Sequence, residues 1–248
     1  MLKYPLSTLL YLAKINIKDT IKDTLKLHNN IDIRLTVTVK DKDGKIIKQH
    51  KQHSHSFVSN FLSILASSLA SSYNETSGNY SYGYYYIITS GEYAALNPGE
   101  WVIDQCFDIN DSNNDSSYGI VVGTGTATPT PNDYNLERQI VNGTGSEQLV
   151  YGAHTINPTP QQIGSADYYT TTTTPTSGLL PVSGNTTSWQ ISRTFQNQSG
   201  ASITVSEVGI LTNTYNGFAL IIHDLLSSPI TIPNNGVMSI LYTISITT

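Results

Sequence analysis

Charged residues are scarce in this sequence of 248 residues. Asp, Glu, Lys and Arg together make up 12% of the chain, which is about half the usual share in a globular protein. The polarity comes instead from Ser, Thr, Asn and 16 tyrosines. Because charged groups are depleted at the desolvated centre of an interface, this composition favours surfaces that meet other protein surfaces.

Basic residues are almost missing after Lys51, where Arg138 and Arg193 are the ones that remain. The net charge is −5 and the sequence pI is near 5.6. A groove for nucleic acid needs clustered Lys and Arg to neutralise phosphates. We therefore expect no nucleic-acid partner.

Cysteine and long apolar runs are also lacking. Cys106 is the single cysteine, which excludes an intramolecular disulfide. No run reaches the roughly 18 apolar residues that a membrane-spanning helix needs. The short apolar run from Leu6 to Ala13 is not followed by the small-residue cleavage site of a signal peptide. These features predict a protein that is made and assembled in the cytoplasm, with no membrane span.

The most informative pattern that is present is an alternation of period two over residues 237–247. Apolar side chains fall on one side of this segment and hydroxyl side chains on the other, which predicts a strand with one buried face. Leu241 is the exception, because it is an apolar residue among the hydroxyl positions.

Similar patterns predict strands throughout the part of the chain that follows Ser117. The predicted strands are 118–124, 147–156, 187–197, 202–211, 217–226 and 236–247. Residues 157–186 are rich in Pro, Thr, Ser and Gly and are predicted to form a long exposed loop. Several short strands separated by turn residues predict a mainly β fold, an antiparallel β-sandwich or jelly roll formed by residues 118–248.

The first 117 residues are more mixed. Apolar residues recur every three or four positions from Leu2 to Leu25, which predicts a helical N-terminal arm over residues 1–30. This helix either packs on its own domain or docks on a neighbouring subunit. Residues 31–117 are predicted to pack on the sandwich as a hairpin (31–40 with 45–49), a helix (57–70) and a segment rich in Tyr and Asn.

One connection is predicted in detail. A three-residue loop at 198–200 would pair Phe195 with Ile203 in a hairpin, with Gly200 in the left-handed backbone conformation that such a loop requires. In that register Arg193 faces the apolar side near Glu207, and we predict a partly buried Arg193–Glu207 ion pair. After Val205 the apolar residues move from odd to even positions, at Val208 and Ile210, which predicts a bulge over 206–209.

No motif predicts catalysis, a cofactor or a metal ion. His50, His53 and His55 have the spacing of metal ligands but lack an adjacent Cys or carboxylate. The acidic loop 108–115 lacks the Gly and the Glu of a calcium-binding loop. His223 and Asp224 are adjacent on a strand, so they point to opposite faces and do not form a catalytic pair. We therefore expect a protein that is not an enzyme.

Two kinds of surface position are candidates for contact with sugars. Asn74 and Asn185 begin Asn-x-Ser/Thr sequons in segments that read as exposed, and they are the candidate glycosylation sites. Exposed aromatic rings can instead stack on a bound glycan. The candidates for this role are Tyr84, Tyr85, Tyr86, Tyr168 and Tyr169.

The order of several blocks resembles a family of β-rich structural proteins, associated with the capsid or tail, of tailed phages and archaeal viruses. The blocks are HSFVSNF (55–61) and the segments 118–152, 193–211 and 221–246. The resemblance implies a virion component that forms a homo-oligomeric ring or shell with other virion proteins, in a capsid, vertex or tail. The alternative is a receptor- or glycan-binding module at a tail tip or vertex, with host surface glycans as partners.

Overall fold

The computed structural model describes residues 30–54, 57–70, 73–74, 79–80, 84–86, 93–95, 108–109, 113–157, 182–183, 185–214 and 217–247. The predicted N-terminal arm and most of the predicted loop 157–186 lie outside these residues. The last residues of that loop, Val182–Ser183, form a short strand instead of an irregular segment.

The described residues form thirteen strands and one helix. In chain order they are β1 (Asn30–Lys40), β2 (Ile46–His53), α1 (Ser59–Ala70), β3 (Tyr73–Asn74), β4 (Asn79–Tyr80), β5 (Tyr84–Tyr86), β6 (Tyr93–Ala95), β7 (Gly119–Gly123), β8 (Val150–Asn157), β9 (Val182–Ser183), β10 (Thr186–Gln196), β11 (Ile203–Thr214), β12 (Gly217–Ile232) and β13 (Val237–Thr247). The six strands predicted after Ser117 are all present, and the mainly β, antiparallel fold with a helix at 57–70 is confirmed. The described helix is too short to cross a membrane.

The larger sheet, sheet A, runs in the order β2-β1-β13-β10-β8, and β9 adds to the same edge of β10 as β8. β13 lies at its centre and pairs along its whole length with β1 on one side and β10 on the other. The hydrophobic alternation of β13 matches a sheet with one buried side, because Met238, Ile240 and Tyr242 are fully buried while the residues between them are not.

The β1–β2 hairpin is confirmed, and it belongs to the same sheet as the C-terminal strand. Its turn is organised by Asp41, whose side chain accepts hydrogen bonds from the backbone N–H groups of Asp43 and Lys45 at 3.0 Å. Gly44 has a φ of +80° and supplies the left-handed turn position. The hairpin therefore contributes two strands of sheet A and does not simply pack on the strands that follow Ser117.

The second sheet, sheet B, has the order β12-β11-β7. The predicted bulge near Ser206 is confirmed, since the register of β11 on β12 shifts between Val205 and Glu207. Opposite this bulge, residues 226–229 of β12 are left without partners in β11. They reach the edge of sheet A, where the Gln52 side chain accepts a hydrogen bond from the Ser227 N–H at 3.1 Å.

The predicted pairing of β10 with β11 is wrong. β10 pairs with β13 and β8 in sheet A, whereas β11 pairs with β12 and β7 in sheet B. The loop between them passes from one sheet to the other and is organised by the buried side chain of Asn197. Its Nδ2 donates to the carbonyl oxygens of Ala201 at 2.7 Å and Ile232 at 2.9 Å.

A single hydrophobic core draws its residues from both sheets. Leu35, Val37 and Ile240 are contributed by sheet A, and Val122 and Ile210 by sheet B. A polar bond also passes through this core, because the Tyr242 hydroxyl of sheet A donates to Asp224 Oδ2 of sheet B at 2.9 Å. Burial, followed by the neighbouring Asp224 carboxylate, raises the pKa of Tyr242 well above its ordinary value, so the hydroxyl keeps the proton it donates.

The left-handed position predicted for Gly200 is confirmed, with a φ of +85°. No other atom lies within 4 Å of the site that a Cβ would occupy there, so a substitution tests the backbone conformation alone. We expect Gly200→Ala to lower the free energy of unfolding by about 1 kcal/mol, and Gly200→Asn to lower it less, because Asn tolerates this conformation. Urea denaturation of the three proteins measures this, and a Gly200→Ala protein as stable as the wild type would contradict it.

Candidate functional site

The outer side of sheet A is an extended surface of hydroxyl and amide side chains. Successive strand residues alternate between the core and this side, so the residues between the buried positions of β1, β10 and β13 face outward. We call this surface the hydroxyl face, and it consists of Thr36, Thr38, Gln190, Ser192, Thr194, Ser239, Leu241 and Thr243.

The strand registers place these residues in level rows. One row consists of Thr36, Leu241 and Ser192. The next row consists of Thr38, Ser239 and Thr194. On β1, β13 and β10 these two rows hold no charged side chain. Lys51 of β2 continues the first row beyond Thr36, and Arg34 shares the row of Thr243 and Gln190. Leu241, half-buried, occupies the middle of the surface, and this explains its position as the exception to the alternation of β13.

Cross-strand hydrogen bonds hold some of these side chains in place. Gln190 Nε2 donates to Thr243 Oγ1 at 3.3 Å, and Gln49 Nε2 of β2 donates to Thr38 Oγ1 at 3.3 Å. Side chains that are already ordered lose less conformational entropy when another surface covers them.

Charge is found at the margins of the hydroxyl face. Lys51 lies on β2, the terminal strand of sheet A, and Lys45 lies in the turn before it. Lys48 is on the opposite side of β2, where its Nζ donates to the Pro229 carbonyl of β12 at 3.0 Å. At the far end of β1, Arg34 Nε and Asp32 Oδ2 form an ion pair at 2.7 Å. His53 Nδ1 contacts the other oxygen of Asp32 at 2.9 Å. The site therefore has an uncharged centre and a charged rim, as protein interfaces have.

Arg193 fixes the layer directly behind the hydroxyl face. It lies between Ser192 and Thr194 on β10, and its side chain points to the core, where it is 1% exposed. Its Nε donates to the Gly152 carbonyl at 2.8 Å, and its Nη1 donates to the carbonyls of Tyr118 and Ile120 at 3.1 Å. These bonds tie β10 to β8 and to the start of β7, and so join the two sheets along one side.

Tyr151 completes the enclosure of Arg193. The guanidinium carbon lies 4.8 Å from the centre of the Tyr151 ring, a favourable cation–π arrangement. Burial raises the pKa of Tyr151 above its ordinary value, and the hydroxyl donates to the Ile140 carbonyl. Both polar ends of the pair are thus bonded inside the protein.

A second buried group joins sheet B to the loop that covers it. Glu207 is 1% exposed, and its carboxylate accepts hydrogen bonds from the backbone N–H groups of Gly125 at 2.9 Å, Glu137 at 3.0 Å and Arg138 at 2.8 Å. His223 Nε2 contacts the same carboxylate at 2.9 Å. Burial alone would raise the pKa of Glu207, but these hydrogen bonds outweigh it and the pKa is lowered.

His223 links Glu207 to a third residue, Asp133. Its Nδ1 lies 2.6 Å from Asp133 Oδ2. Burial lowers the pKa of His223, but the two flanking carboxylates more than compensate and raise it above the ordinary value. For Asp133, hydrogen bonds from Thr130 and His223 outweigh the effect of burial and lower the pKa. Both ring nitrogens are engaged, so the His223 ring holds loop 125–138 in place and offers no nitrogen to a substrate.

The predicted Arg193–Glu207 ion pair is replaced by these two groups. The prediction depended on a β10–β11 hairpin, which the structure does not form. Both side chains are fully buried, where partial burial was predicted, and Arg193 donates to backbone carbonyls while Glu207 accepts from His223 and backbone N–H groups. Sequence reasoning missed Asp133, because it lies 90 residues from His223 in a turn segment with no motif.

The other sequence candidates are dispersed. His50 Nε2 contacts Gln52 Oε1 at 2.8 Å, and His53 contacts Asp32, so these two histidines have separate partners. Asp115 of the acidic loop accepts a hydrogen bond from the Ser117 N–H at 2.7 Å. Within the described ranges, no group of three or more His, Cys, Asp or Glu side chains is placed to hold a metal ion.

The candidate sugar-contact positions are only partly within the described residues. Asn185 is exposed next to the start of β10, as predicted. Asn74 lies on strand β3, and Tyr84, Tyr85 and Tyr86 form strand β5, which pairs with β6. Tyr168 and Tyr169 lie outside the described residues.

Comparison with known proteins adds no relative. No protein-family model matches the chain, and no curated protein or solved structure is significantly similar to it. The resemblance to virion proteins therefore stays a hypothesis based on the sequence blocks.

The Asp133–His223–Glu207 group makes the stability depend on pH in a defined way. Because the pKa of His223 is raised, its contribution is complete below its ordinary value of 6.5 and is lost as the pH rises through the folded value. Because the pKa values of Glu207 and Asp133 are lowered, their contribution is complete above the ordinary values of 4.5 and 3.8 and is lost in acid. We expect the group to stabilise the protein most between about pH 4.5 and 6.5.

The measurement is the urea midpoint of unfolding from pH 4 to 9, for the wild type and for Asp133→Asn. Removal of one carboxylate should flatten the fall in stability above about pH 6.5, since the histidine then gains less from its proton. Parallel curves for the two proteins over the alkaline range would show that the group does not act in this way.

Proposed function

We propose that this protein is a structural component of a virus particle that forms a homo-oligomeric part of a capsid, vertex or tail. The observation that carries the proposal is the hydroxyl face, with its uncharged rows and Leu241 at the centre. An apolar residue surrounded by small polar groups that can both donate and accept hydrogen bonds suits contact with an identical surface. The blocks that resemble virion proteins support the same role.

The proposed architecture is an antiparallel β-sandwich, with sheets A and B as its two layers. Three polar connections support it: the Tyr242–Asp224 bond through the core, the Arg193 bonds to β7, and the Gln52–Ser227 contact at the edge. Each joins an element of one sheet to an element of the other. A scaffold fixed in this way presents a fixed face, which lowers the entropic cost of association.

In this proposal the protein is made and assembled in the host cytoplasm and functions in the virion. Its mechanism is the burial of surface between copies, and it turns over no substrate. Other virion proteins contact the remaining surfaces, which include exposed apolar residues such as Leu62 of α1 and Val141. Apolar exposure at several separate positions suits a subunit that has more than one neighbour.

A charge at the centre of the hydroxyl face should prevent assembly. We expect Leu241→Arg to raise the dissociation constant for self-association about 10-fold or more, because the guanidinium would be desolvated without a partner. Sedimentation equilibrium measures the constant, and thermal unfolding checks that the variant stays folded.

Thr231→Arg is the matched control, because Thr231 is an exposed hydroxyl residue on β12 of sheet B. It should associate as the wild type does. A Leu241→Arg protein that associates as tightly as the wild type would refute the role of this face.

A receptor- or glycan-binding module is the second candidate, and a cleft of about 350 Å³ favours it. Its lining combines hydroxyl side chains, such as Ser199 and Thr204, with the exposed ion pair of Arg138 and Glu147 at 3.2 Å. The lining also includes Thr124, whose buried Oγ1 lacks a hydrogen-bond partner in the part of the chain that the structure describes. Hydroxyl and charged groups of this kind recognise sugar hydroxyls.

NMR titration with a panel of neutral and acidic oligosaccharides tests this candidate. Binding in the cleft should shift the amide signals of residues 199–204 and leave those of the hydroxyl face unchanged. Unchanged spectra at millimolar sugar would remove the cleft as a glycan site.

A further inference from the structure

The core-facing side of sheet A continues beyond the part that is buried. On β1 the core-facing positions are all apolar, and those from Ile33 to Val39 are at most 5% exposed. Ile31 faces the same side, because side chains alternate along a strand, but it is 63% exposed. The burial of one continuous apolar row therefore ends at the beginning of β1.

The neighbouring strands show the same limit. Ile31 pairs with Ile246 of β13, which is 40% exposed, although Tyr242 on the same side of β13 is fully buried. One step further along the strands, Ile244 of β13 pairs with Trp189 of β10, and both are half-buried. We call these four residues the apolar shelf: Ile31, Trp189, Ile244 and Ile246. Exposed apolar side chains that adjoin one another, in contrast to scattered single ones, are typical of a surface that another segment covers.

Two long segments outside the described residues join sheet A at the end that carries the shelf. Residues 1–29 lead directly into Asn30, the first residue of β1. Residues 158–181 follow β8, whose last residue pairs with Gln190 of β10. The second segment is rich in Thr, Pro, Ser and Gly and has no regular repeat of apolar residues. The first segment has such a repeat, and it is therefore the one that suits an apolar surface.

The repeat in residues 1–29 describes one face of a helix. Nearest to β1, apolar residues recur every four positions, at Ala13, Ile17, Ile21 and Leu25. Lysines lie on a neighbouring face, at Lys14, Lys18 and Lys22. A helix over residues 6–25 would be about 30 Å long, whereas the five strands of sheet A span about 19 Å. Such a helix is long enough to cross the shelf while its lysines stay in water.

The attachment point indicates which copy of the segment covers the shelf. Only the four residues 26–29 would separate the helix from β1, a connection of ordinary length. A short connection holds the segment of the same chain at an effective concentration in the millimolar range. The segment of another copy would have to compete with it, so the same chain supplies the occupant.

We propose that residues 6–25 form an amphipathic helix that lies across the apolar shelf of their own chain. The face that carries Ile17 and Ile21 packs on Ile31 and its cross-strand neighbour. This inference goes beyond the proposed function, because it does not depend on self-association. Of the two roles open to the predicted N-terminal helix, it selects packing on the helix's own domain. An isolated helix of this length is marginal in water, so its stability depends on the shelf.

Hydrogen exchange of the full-length protein, followed by mass spectrometry, tests the docking. In the wild type we expect the amides of residues 13–25 to exchange about 10-fold or more slowly than in a free peptide of the same sequence. Ile246→Asp should return them to near the free-peptide rate, because the helix would have to desolvate the new carboxylate. Thr247→Asp, on the opposite side of β13, is the matched control and should leave them protected. The exchange of the β1 amides shows whether sheet A stays folded in each variant.

A second pair of variants changes the segment and leaves the shelf intact. The chain has two tryptophans, so Trp189 alone reports on the shelf once Trp101 is replaced by Phe. In that background Ile21→Asp should shift the Trp189 emission to longer wavelength, because water reaches the indole when the helix leaves. Lys22→Asp, which changes the lysine-bearing face, should not shift it.

Three results would overturn the proposal. The first is a wild type in which residues 13–25 exchange at the free-peptide rate, and the second is protection that Ile246→Asp does not reduce. The third is protection that rises with protein concentration from about 1 to 100 µM, since the segment of a second copy would then be the occupant. Leu241→Arg, which tests the hydroxyl face, should leave the protection of residues 13–25 unchanged. Failure of the proposed assembly and failure of this docking are therefore distinguishable.

Discussion

The pairing of β13 with β1 on one side and β10 on the other is the constraint on which the rest of the structure depends. Eleven consecutive pairs join β13 to each neighbour without a register shift. The residue alternation of β13 is therefore imposed on three strands at once: Ile240 and Tyr242 line the core, and Ser239 and Thr243 face outward. A slip of one residue would exchange the two sides of the sheet, so the register is strongly specified.

Some of the few ionisable side chains of the chain are used inside the protein. Arg193, Glu207, His223 and Asp224 are all at most 2% exposed. Each is surrounded by partners, since an unpaired buried charge would be strongly destabilising. These groups join pieces of chain that hydrophobic contacts would hold less specifically: β7 to β10, sheet A to sheet B, and loop 125–138 to sheet B.

The sequence was sufficient for local structure because alternation and turn residues act over a few positions. It allowed the six C-terminal strands, the β1–β2 hairpin, Gly200 and the bulge near Ser206 to be predicted. The β10–β11 pairing could not be predicted, because a short Gly-containing loop suits both a hairpin and a crossing between sheets. The Asn197 side chain, which bonds to the distant Ile232 carbonyl, favours the crossing.

Two further features could be identified only from the structure: the partners of the buried charged residues and the surface on which Leu241 lies. The burial of Arg193 and Glu207 follows from their place in apolar strands, but partners such as Tyr118 for Arg193 and Gly125 for Glu207 lie 75 and 82 residues away. Leu241 is visible in the sequence as an irregularity of β13. Its uncharged neighbours Thr36 and Ser192 are on other strands, so the surface it centres emerges only from the registers.

The composite origin of the hydroxyl face has a consequence for synthesis. Thr36 and Leu241 are neighbours in the sheet but lie about 200 residues apart along the chain, and contacts of such separation form late in folding. A nascent chain contains the first of these residues long before the second. In the proposed assembly, a nascent copy in which Leu241 has not yet been made therefore has no complete hydroxyl face through which to associate.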